Sequence, residues 1–222
     1  MLKKILKDLI GSDAKPPATP LGARSFMPEY ERTFAPHLNQ RAESFRVMLE
    51  KLEEVAARRP GPLLIIETGS MREVDDWGAG QSTLLWKAFS AFHQCEIHTV
   101  DLNPDTTALV KRVCGEAVHA HTRDSVAFLY DMANAKPRRH IDLLYLDSYD
   151  FNPEDPFPSA MHHILELIAI RPCLGEGSLV AIDDNFVLPD GSFTGKGYLA
   201  LQWFRHLNIS SLHLGYQFVW QL

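Results

Sequence analysis

Residues 63–83 carry the clearest chemical pattern in the chain. Four apolar residues, Leu63 to Ile66, precede Glu67-Thr68-Gly69-Ser70, and a second glycine-containing stretch, 78–83, follows about ten residues later. The apolar run is typical of a buried parallel strand. Glycine after it lets the backbone approach a ligand closely, because glycine has no Cβ and tolerates positive φ. Open α/β sheets bind nucleotide-like cofactors at this place, so we expect such a cofactor here.

Further polar residues follow the next two predicted strands. Asp101 ends the second strand, 34 residues after Glu67, where an acid faces the ribose hydroxyls of an adenosine ligand. Asp124 and Ser125 follow the third strand and are placed to hold the adenine edge. A dinucleotide-binding enzyme would present a compact G-x-G-x-x-G at its first turn. Here the glycines are split by residues 71–77, which disfavours that class.

Three more acids end the fourth and fifth predicted strands. Asp147 follows one strand, and Asp183 and Asp184 follow the other. Neighbouring parallel strands lie about 4.8 Å apart, so these carboxylates should converge. Like charges that close are costly without a cation, and hard oxygen ligands favour Mg²⁺ or Mn²⁺. The alternative is that Asp147 and Asp184 cap loops or pair with Arg or Lys; Asn185 replaces Asp184 as a ligand if the strand ends one residue later.

Alternating helix and strand patterns position these residues. Apolar residues at helical spacing predict helices near 45–56, 81–92, 103–114, 124 onward, 159–174 and 197–207. Shorter runs predict strands at 63–67, 96–101, 117–121, 141–147, 177–183, 210–214 and 217–221. This alternation indicates a mainly parallel α/β sheet covered on both faces, and the last two runs are close enough to form a hairpin.

The chain has the size of one domain. Its 222 residues, 45% of them hydrophobic, can bury one sizeable core. We expect a main domain over residues 41–222 and an N-terminal extension over residues 1–40. The extension begins with a predicted amphipathic helix at 1–10 and an irregular linker at 11–21, and its aromatic residues after position 24 suggest a lid or a dimer contact.

Charge and cysteine content exclude several partners. A net charge of −6 disfavours nucleic acid, which needs clustered Lys and Arg. Cys95, Cys114 and Cys173 lack C-x-x-C spacing, which indicates reduced thiols and a cytoplasmic protein. No apolar run approaches the roughly 20 residues of a membrane span. A small-molecule partner is therefore expected, and a homo-oligomer remains open.

Together these segments resemble the class I S-adenosylmethionine-dependent methyltransferases. The match covers roughly residues 40–222 and consists of the glycine loop, the acid Asp101, the pair Asp124-Ser125, and the strands that end at Asp147 and Asp183. The resemblance implies a Rossmann-like doubly wound sheet of seven strands in the order 3-2-1-4-5-7-6, with the seventh strand antiparallel. In such enzymes the glycine loop holds the amino-acid end of S-adenosyl-L-methionine, although residues 71–77 here exceed the usual short loop.

The resemblance also suggests roles for individual residues. The predicted cofactor-binding residues are Glu67, Thr68, Gly69, Ser70, Gly80, Ser82, Asp101, Asp124, Ser125 and Asp147. The acids Asp147, Asp183 and Asp184 look like the magnesium ligands of the metal-dependent O-methyltransferase branch, which includes catechol and macrolide-sugar O-methyltransferases. Asp150 stands where the resembling enzymes often place a Lys or His base.

Asp150 and Asp147 are accordingly the predicted catalytic residues, with Asp150 alternatively a further metal ligand. Asp is a weak base at neutral pH, so the metal would supply most of the activation. His162 and His163 begin the next helix, and one of them is a second candidate to face the acceptor.

The sequence thus predicts an S-adenosylmethionine-dependent enzyme that methylates a hydroxyl of a small molecule, a sugar or natural-product intermediate, with help from Mg²⁺ or Mn²⁺. Three alternatives stay open: a metal-independent methyltransferase, a dinucleotide-dependent oxidoreductase, and a cofactor-binding protein without turnover.

Overall fold

A computed structural model describes residues 24–74, 76–78 and 81–222. The helix predicted at 1–10, the linker predicted at 11–21 and the predicted cofactor residue Gly80 lie outside these ranges. Within the described part of the chain, none of the helices is long and apolar enough to cross a membrane.

Seven strands form the main sheet, and two more form a separate hairpin. The main sheet has the order β3-β2-β1-β4-β5-β9-β8. The strands β1 to β5 pair in parallel, and β9 is antiparallel to both of its neighbours. The predicted order is therefore confirmed, with the last two strands renumbered because of the hairpin β6–β7. The strands are β1 Leu63–Thr68, β2 Cys95–Asp101, β3 His119–Thr122, β4 Leu143–Leu146, β5 Leu179–Ile182, β6 Asn185–Val187, β7 Phe193–Gly195, β8 Ser211–Leu214 and β9 Phe218–Gln221.

Helices connect the strands and cover both faces of the sheet. Two of them begin as the sequence predicts, with a polar N-cap: Asn103 accepts a hydrogen bond from the amide of Asp105, and Asp124 accepts one from the amide of Ala127. The helices are α1 Met27–Thr33, α2 Ala42–Arg58, α3 Ser82–Ser90, α4 Pro104–Cys114, α5 Ser125–Asn134, α6 Phe157–Ile170 and α7 Tyr198–His206.

The core has two layers, one on each face of the sheet. Alternate residues of β1 divide between them: Leu63 and Ile65 face one layer, and Leu64 and Ile66 face the other. Because both faces are covered, the strand reads as a continuous apolar run rather than as an alternating one. This is the physical reason why the sequence revealed β1 so clearly.

The described part of the N-terminal extension belongs to the first of these layers. Phe26, Tyr30 and Phe34 are fully buried there. Phe34 also contacts Trp77, in the long loop after β1. The segment from residue 24 therefore packs against the body of the domain beside that loop, while a domain boundary at residue 40 stays a prediction.

The hairpin β6–β7 is the main element that the sequence analysis missed. Its strands have three residues each, and Phe186 and Val187 are exposed. Such short strands are below the length at which hydrophobic periodicity gives a signal. The hairpin matters because it ends at Gly195, directly before the residue that completes the site.

Candidate functional site

A close backbone approach joins the ends of β1 and β4. Gly69 has φ +77°, and a Cβ at this position would clash with the carbonyl oxygen of Asp147. The amide of Asp147 also donates to the carbonyl of Thr68 at 2.8 Å. A side chain at residue 69 would force these strand ends apart, so glycine is required by the space as well as by the backbone angle.

Glu67 stabilises the glycine loop through Thr83. Its Oε2 accepts a hydrogen bond from the Thr83 hydroxyl at 2.6 Å, and the Thr83 oxygen accepts one from the amide of Met71 at 3.2 Å. Burial raises the pKa of Glu67. The side-chain hydroxyl of Thr68 is buried without a hydrogen-bond partner in the described part of the chain. Both residues shape the loop, and their predicted contact with a cofactor stays a prediction.

The long part of the loop, residues 71–77, is fastened by Gln81. The Nε2 of Gln81 donates to the carbonyl oxygens of Glu73 at 2.7 Å and Asp76 at 2.9 Å. Ser82 then begins α3 and is buried. This brings the N-terminal end of α3 to the edge of the sheet beside Gly69.

Asp101, the acid predicted to hold a ribose, is fixed by two backbone amides. Its Oδ2 accepts from the amide of Ser70 at 3.1 Å, and its Oδ1 accepts from the amide of Asn103 at 2.8 Å. The Ser70 hydroxyl forms a further hydrogen bond with the Thr99 hydroxyl at 2.7 Å. Each carboxylate oxygen keeps a second lone pair for a ligand.

A cleft, here called the Asp101 pocket, opens beside this acid. It contains about 710 Å³ of space, part of it open to solvent. Its walls combine the ends of β1, β2 and β3 with the loop after β4, which is the arrangement the sequence predicted for an adenosine ligand. The lining residues used below are Gly69, Arg72, Asp101, Asp124, Ser125, Tyr149, Asp150 and His162.

His162 belongs to the Asp101 pocket. Its Nε2 forms a hydrogen bond with the Ser125 hydroxyl at 3.0 Å, and its ring lies 5.3 Å from the ring of Tyr149. Although burial disfavours the charged form, the hydrogen bond to Glu166 raises the pKa of His162. His163 is fully buried and contacts the carbonyl of Ser159. The sequence suggested that one of these histidines faces the acceptor. In the structure, His162 lies beside Ser125 in the Asp101 pocket, and His163 lies in the core.

Two of the three acids that follow β4 and β5, Asp147 and Asp184, converge around a lysine. The ammonium of Lys196 lies 2.7 Å from Oδ1 of Asp147 and 2.9 Å from Oδ2 of Asp184. The Lys196 side chain is 2% exposed, while those of Asp147 and Asp184 are 18% and 22% exposed. The Tyr216 hydroxyl also donates to Asp184.

Asp183 points in another direction and has its own cation. Its carboxylate is fully buried and accepts hydrogen bonds from Nε of Arg41, at 2.8 and 3.1 Å, and from the hydroxyl of Tyr145 at 2.8 Å. The guanidinium of Arg41 stacks over Tyr216, 4.5 Å from the ring centroid. Arg41 thereby ties the segment before α2 to the end of β5.

These contacts fix the charges of the cluster. Although burial disfavours a charged side chain, the neighbouring carboxylates raise the pKa of Lys196 and that of Arg41. Lys196 likewise lowers the pKa of Asp184 against the effect of burial. For Asp147, burial and the other two acids outweigh Lys196 and raise its pKa. Both cations are thus charged at neutral pH.

The hairpin delivers Lys196 to this position. The amide of Lys196 donates to the carbonyl of Asp184 at 3.1 Å. The side chain of Asn185 is clamped between strands: its Nδ2 donates to the carbonyl of Ile182, and its Oδ1 accepts from the amide of Gly197, both at 2.7 Å. Asn185 therefore has a structural role instead of the ligand role considered for it.

A second cleft, here called the Lys196 pocket, lies over these acids. It contains about 590 Å³ of space, part of it open to solvent. Three residues, Gly69, Arg72 and Asp150, line both clefts, so the two clefts are adjacent. The lining residues are Arg41, Gly69, Ser70, Arg72, Gly78, Ser82, Asp147, Asp150, Asp184, Lys196 and Tyr216.

Asp150, the predicted base, stands at the junction of the two clefts. Its Oδ1 accepts a hydrogen bond from the guanidinium of Arg72 at 2.5 Å, and its side chain is 76% exposed. It is close to Asp147 in sequence, but its cation is Arg72 and not Lys196. A general-base role for Asp150 stays a prediction.

The predicted metal ligands do not fit a divalent ion in this arrangement. Lys196 lies between Asp147 and Asp184, and Arg41 engages Asp183. Within the described ranges, no group of three or more His, Cys, Asp and Glu side chains could hold a metal ion. A Mg²⁺ or Mn²⁺ ion could bind here only if Lys196 moved away from Asp147 and Asp184. The predicted metal site therefore stays a prediction.

Sequence reasoning missed Lys196, Arg41 and Tyr216. The one local signal for Lys196 is its place between two glycines, Gly195 and Gly197, just after a turn. No local signal distinguishes Arg41 from the other basic residues that precede α2. What the sequence did offer was the alternative that the acids pair with Arg or Lys, and these contacts agree with it.

Comparisons with known proteins support the fold. No family model and no curated protein sequence matches the chain. Among solved structures, CalS11, described as a TDP-rhamnose 3′-O-methyltransferase of calicheamicin biosynthesis, is 15% identical with a TM-score of 0.53, over 99% of this chain and 92% of that one. MycE, a methyltransferase of mycinamycin biosynthesis solved with Mg, SAH and mycinamycin VI, is 17% identical with a TM-score of 0.51, over 97% of this chain.

The two likenesses differ in extent. This chain spans nearly the whole of CalS11 but only 54% of MycE. At these identities the likeness concerns the fold. The chain has the Rossmann-like fold of S-adenosylmethionine-dependent methyltransferases, as the sequence predicted.

Proposed function

We propose that this protein is an S-adenosylmethionine-dependent O-methyltransferase that acts on a hydroxylated small molecule. The observation that carries the proposal is that the Asp101 pocket and the Lys196 pocket lie side by side and share the wall residues Gly69, Arg72 and Asp150. One cleft has the polar groups that an adenosine ligand needs. The other has charged groups that suit a polar acceptor.

The residues of the Asp101 pocket fit the cofactor. Asp101 would accept hydrogen bonds from the ribose hydroxyls, and Asp124 with Ser125 would border the adenine. Gly69 and Ser70 would face the amino-acid end of the cofactor, with Ser82 at the N-terminus of α3, where a helix favours a carboxylate. The close approach of Gly69 to the backbone of Asp147 supports this assignment, because it holds the glycine loop against the end of β4.

When bound, S-adenosylmethionine supplies a methyl group on a positively charged sulfur. In the transfer, the acceptor oxygen forms a bond to the methyl carbon, the sulfur–carbon bond breaks, and its electron pair stays on sulfur. The hydroxyl proton passes to a carboxylate, for which Asp150 is the proposed base. The protein mainly positions the acceptor, since opposite charges cancel in this step and orientation supplies much of the rate.

The character of the Lys196 pocket indicates the acceptor class. Its lining contains three cationic and three acidic side chains besides Ser70, Ser82 and Tyr216. Such a surface suits a ligand with several hydroxyl groups better than an apolar one. The names of the two structural neighbours, one acting on TDP-rhamnose and one solved with mycinamycin VI, agree with a sugar or a glycosylated natural product.

Of the two methyltransferase versions that the sequence left open, the contacts of Lys196 favour the metal-independent one. The carboxylates that would bind Mg²⁺ or Mn²⁺ are already paired with cationic side chains. The metal-assisted version remains testable, and it requires that chelators abolish activity.

Two experiments test the proposal. Calorimetry should show one-to-one binding of S-adenosylhomocysteine and no binding of NAD; the reverse result would identify the oxidoreductase alternative. Transfer of labelled methyl from S-adenosylmethionine should then be screened over nucleotide sugars, glycosylated natural products and catechols, each with EDTA or with Mg²⁺. Binding of the cofactor without transfer to any of these acceptors would favour a binding protein without turnover.

A further inference from the structure

The Lys196 ammonium occupies a built site. It lies between two carboxylates from different strand ends, and its side chain is 2% exposed. The flanking glycines let the backbone on both sides of Lys196 pass close to its neighbours: a Cβ on Gly195 would clash with the carbonyl of Asp184, and one on Gly197 would crowd the ring of Phe218. A lysine placed this way is held by the fold.

This site coincides with the place where the strand-end acids predict a metal. Three carboxylates and two cationic side chains already meet there. A divalent ion added to it would lie against the Lys196 ammonium. In a partly buried site, repulsion between the two cations disfavours binding of that ion.

The ammonium also has a hydrogen-bond donor to spare. Lysine has three donors, and two are used by Asp147 and Asp184. Among the residues that the structure describes, the third donor has the carbonyl oxygen of Asp147 as its partner, at 3.4 Å, near the limit of a hydrogen bond. Since Lys196 lines the pocket, this donor is available to a ligand oxygen.

We infer that Lys196 is the resident cation of the site: its ammonium takes the place of a divalent ion between Asp147 and Asp184 and donates a hydrogen bond to the acceptor oxygen. The part that concerns the acceptor rests on the proposed function. The part that concerns the cation rests on the contacts of Lys196 alone. The acceptor class is accordingly a neutral or anionic oxygen compound, and methyl transfer proceeds without metal.

Binding of Mn²⁺, followed by electron paramagnetic resonance, tests the cation directly. We expect the wild-type protein to leave the spectrum of free Mn²⁺ unchanged. We expect Lys196→Ala, which removes the ammonium between Asp147 and Asp184, to bind Mn²⁺ more tightly than wild type by roughly tenfold or more. The double variant Lys196→Ala/Asp184→Asn should lose that binding. Lys111→Ala, which removes an exposed lysine from α4, is the matched control and should behave like wild type.

Two results would overturn the inference. One is stoichiometric binding of Mn²⁺ by wild type that disappears in Asp184→Asn, since this would show that Lys196 moves aside for the metal. The other is a Lys196→Ala protein that keeps the wild-type circular dichroism spectrum but gains no Mn²⁺ binding. The first result needs only wild type and Asp184→Asn, so it decides the point even if Lys196→Ala does not fold.

The acceptor contact is tested with an acceptor found in the screen. In EDTA, Lys196→Ala should lose at least about tenfold in kcat/KM, and Mn²⁺ should restore part of it, while the affinity for S-adenosylhomocysteine stays near the wild-type value. Full activity of Lys196→Ala in EDTA would refute the contact. If wild type does not bind S-adenosylhomocysteine at all, the proposed function fails, and the Mn²⁺ titrations still decide the role of Lys196.

Discussion

The two clefts of this site are built from partners at very different separations along the chain. In the Asp101 pocket, Asp101 bonds to the amide of Asn103, and Asp124 bonds to the amide of Ala127, two and three residues away. In the Lys196 pocket, Asp147 pairs with a lysine 49 residues away, and Asp183 pairs with an arginine 142 residues away. The acids of the first cleft each have a local amide partner, and Asp101 adds the amide of Ser70, whereas the acids of the second cleft are paired with cations that the tertiary fold brings to them.

This difference explains which inferences the sequence supports. A residue that directly follows a parallel strand must lie at the carboxyl edge of the sheet, so the positions of the acids follow from the strand pattern. The identity of the cation that pairs with these acids cannot be predicted from the residues near them in sequence. A converging set of acids therefore shows that a positive charge is needed, but not whether a metal or a side chain supplies it.

The largest effect is expected at the junction of the two clefts. If Asp150 is the general base, Asp150→Asn should lower kcat by about 10²- to 10⁴-fold, because positioned proton transfer contributes that much. Steady-state kinetics with an acceptor from the screen would measure it. Asp155→Asn, a change to an exposed acid in the same loop, is the control. If the kcat of Asp150→Asn is within about threefold of wild type, Asp150 is not the general base, and its ion pair with Arg72 is a surface contact.

The next effect concerns the assembled cleft. Arg41→Ala should destabilise the protein by about 3–5 kcal/mol, since it leaves the fully buried carboxylate of Asp183 without its cation. Urea unfolding would measure the loss. Arg46→Ala removes a more exposed arginine that pairs with Glu31 and Glu43, and it should cost at most about 1 kcal/mol. Equal costs for the two variants would mean that Arg41 is not needed to neutralise Asp183.

A smaller effect belongs to the local cleft. Asp101→Ala should weaken binding of S-adenosylhomocysteine by about 1.5–3 kcal/mol, or roughly 10- to 150-fold, because it removes charge-assisted hydrogen bonds. Calorimetry would measure the change. Asp105→Ala, in the first turn of α4, should bind like wild type. Unchanged affinity in Asp101→Ala would refute the ribose assignment.

The smallest effect is expected at Ser125. Ser125→Ala removes the hydrogen bond to His162 and should weaken binding of S-adenosylhomocysteine by about 0.5–1.5 kcal/mol, which is roughly 2- to 12-fold. Ser90→Ala, at the far end of α3, should have no effect on the same titration. A loss as large as that of Asp101→Ala would show that Ser125 contacts the ligand more strongly than its place in the pocket suggests.

Much of the fold was predictable because apolar runs and helix caps are signals that a short stretch of sequence carries. The buried run before Glu67 and the caps at Asn103 and Asp124 set the bounds of strands and helices, and the resemblance supplied the sheet order. The hairpin β6–β7 was not predictable, since its strands of three residues carry no period. The bounds of β3 also differ: a short 3₁₀ turn, Gly115–Ala117, delays the strand to His119.

The site was predictable in part for the same reason. Gly69, Asp101, Asp147 and Asp184 stand where the strand pattern places them. Lys196 was missed because it follows the unpredicted hairpin. The side-chain directions of Asp183 and His162 also depend on packing: Asp183 turns toward Tyr145 and Arg41, and His162 toward Ser125.

A crystal structure with S-adenosylhomocysteine bound would test the central claim most directly. We predict its ribose at Asp101, its adenine beside Asp124 and Ser125, and its sulfur facing the Lys196 pocket past Gly69. Density for the ligand elsewhere on the protein, or none at concentrations that saturate methyltransferases, would contradict the assignment of the two clefts to cofactor and acceptor.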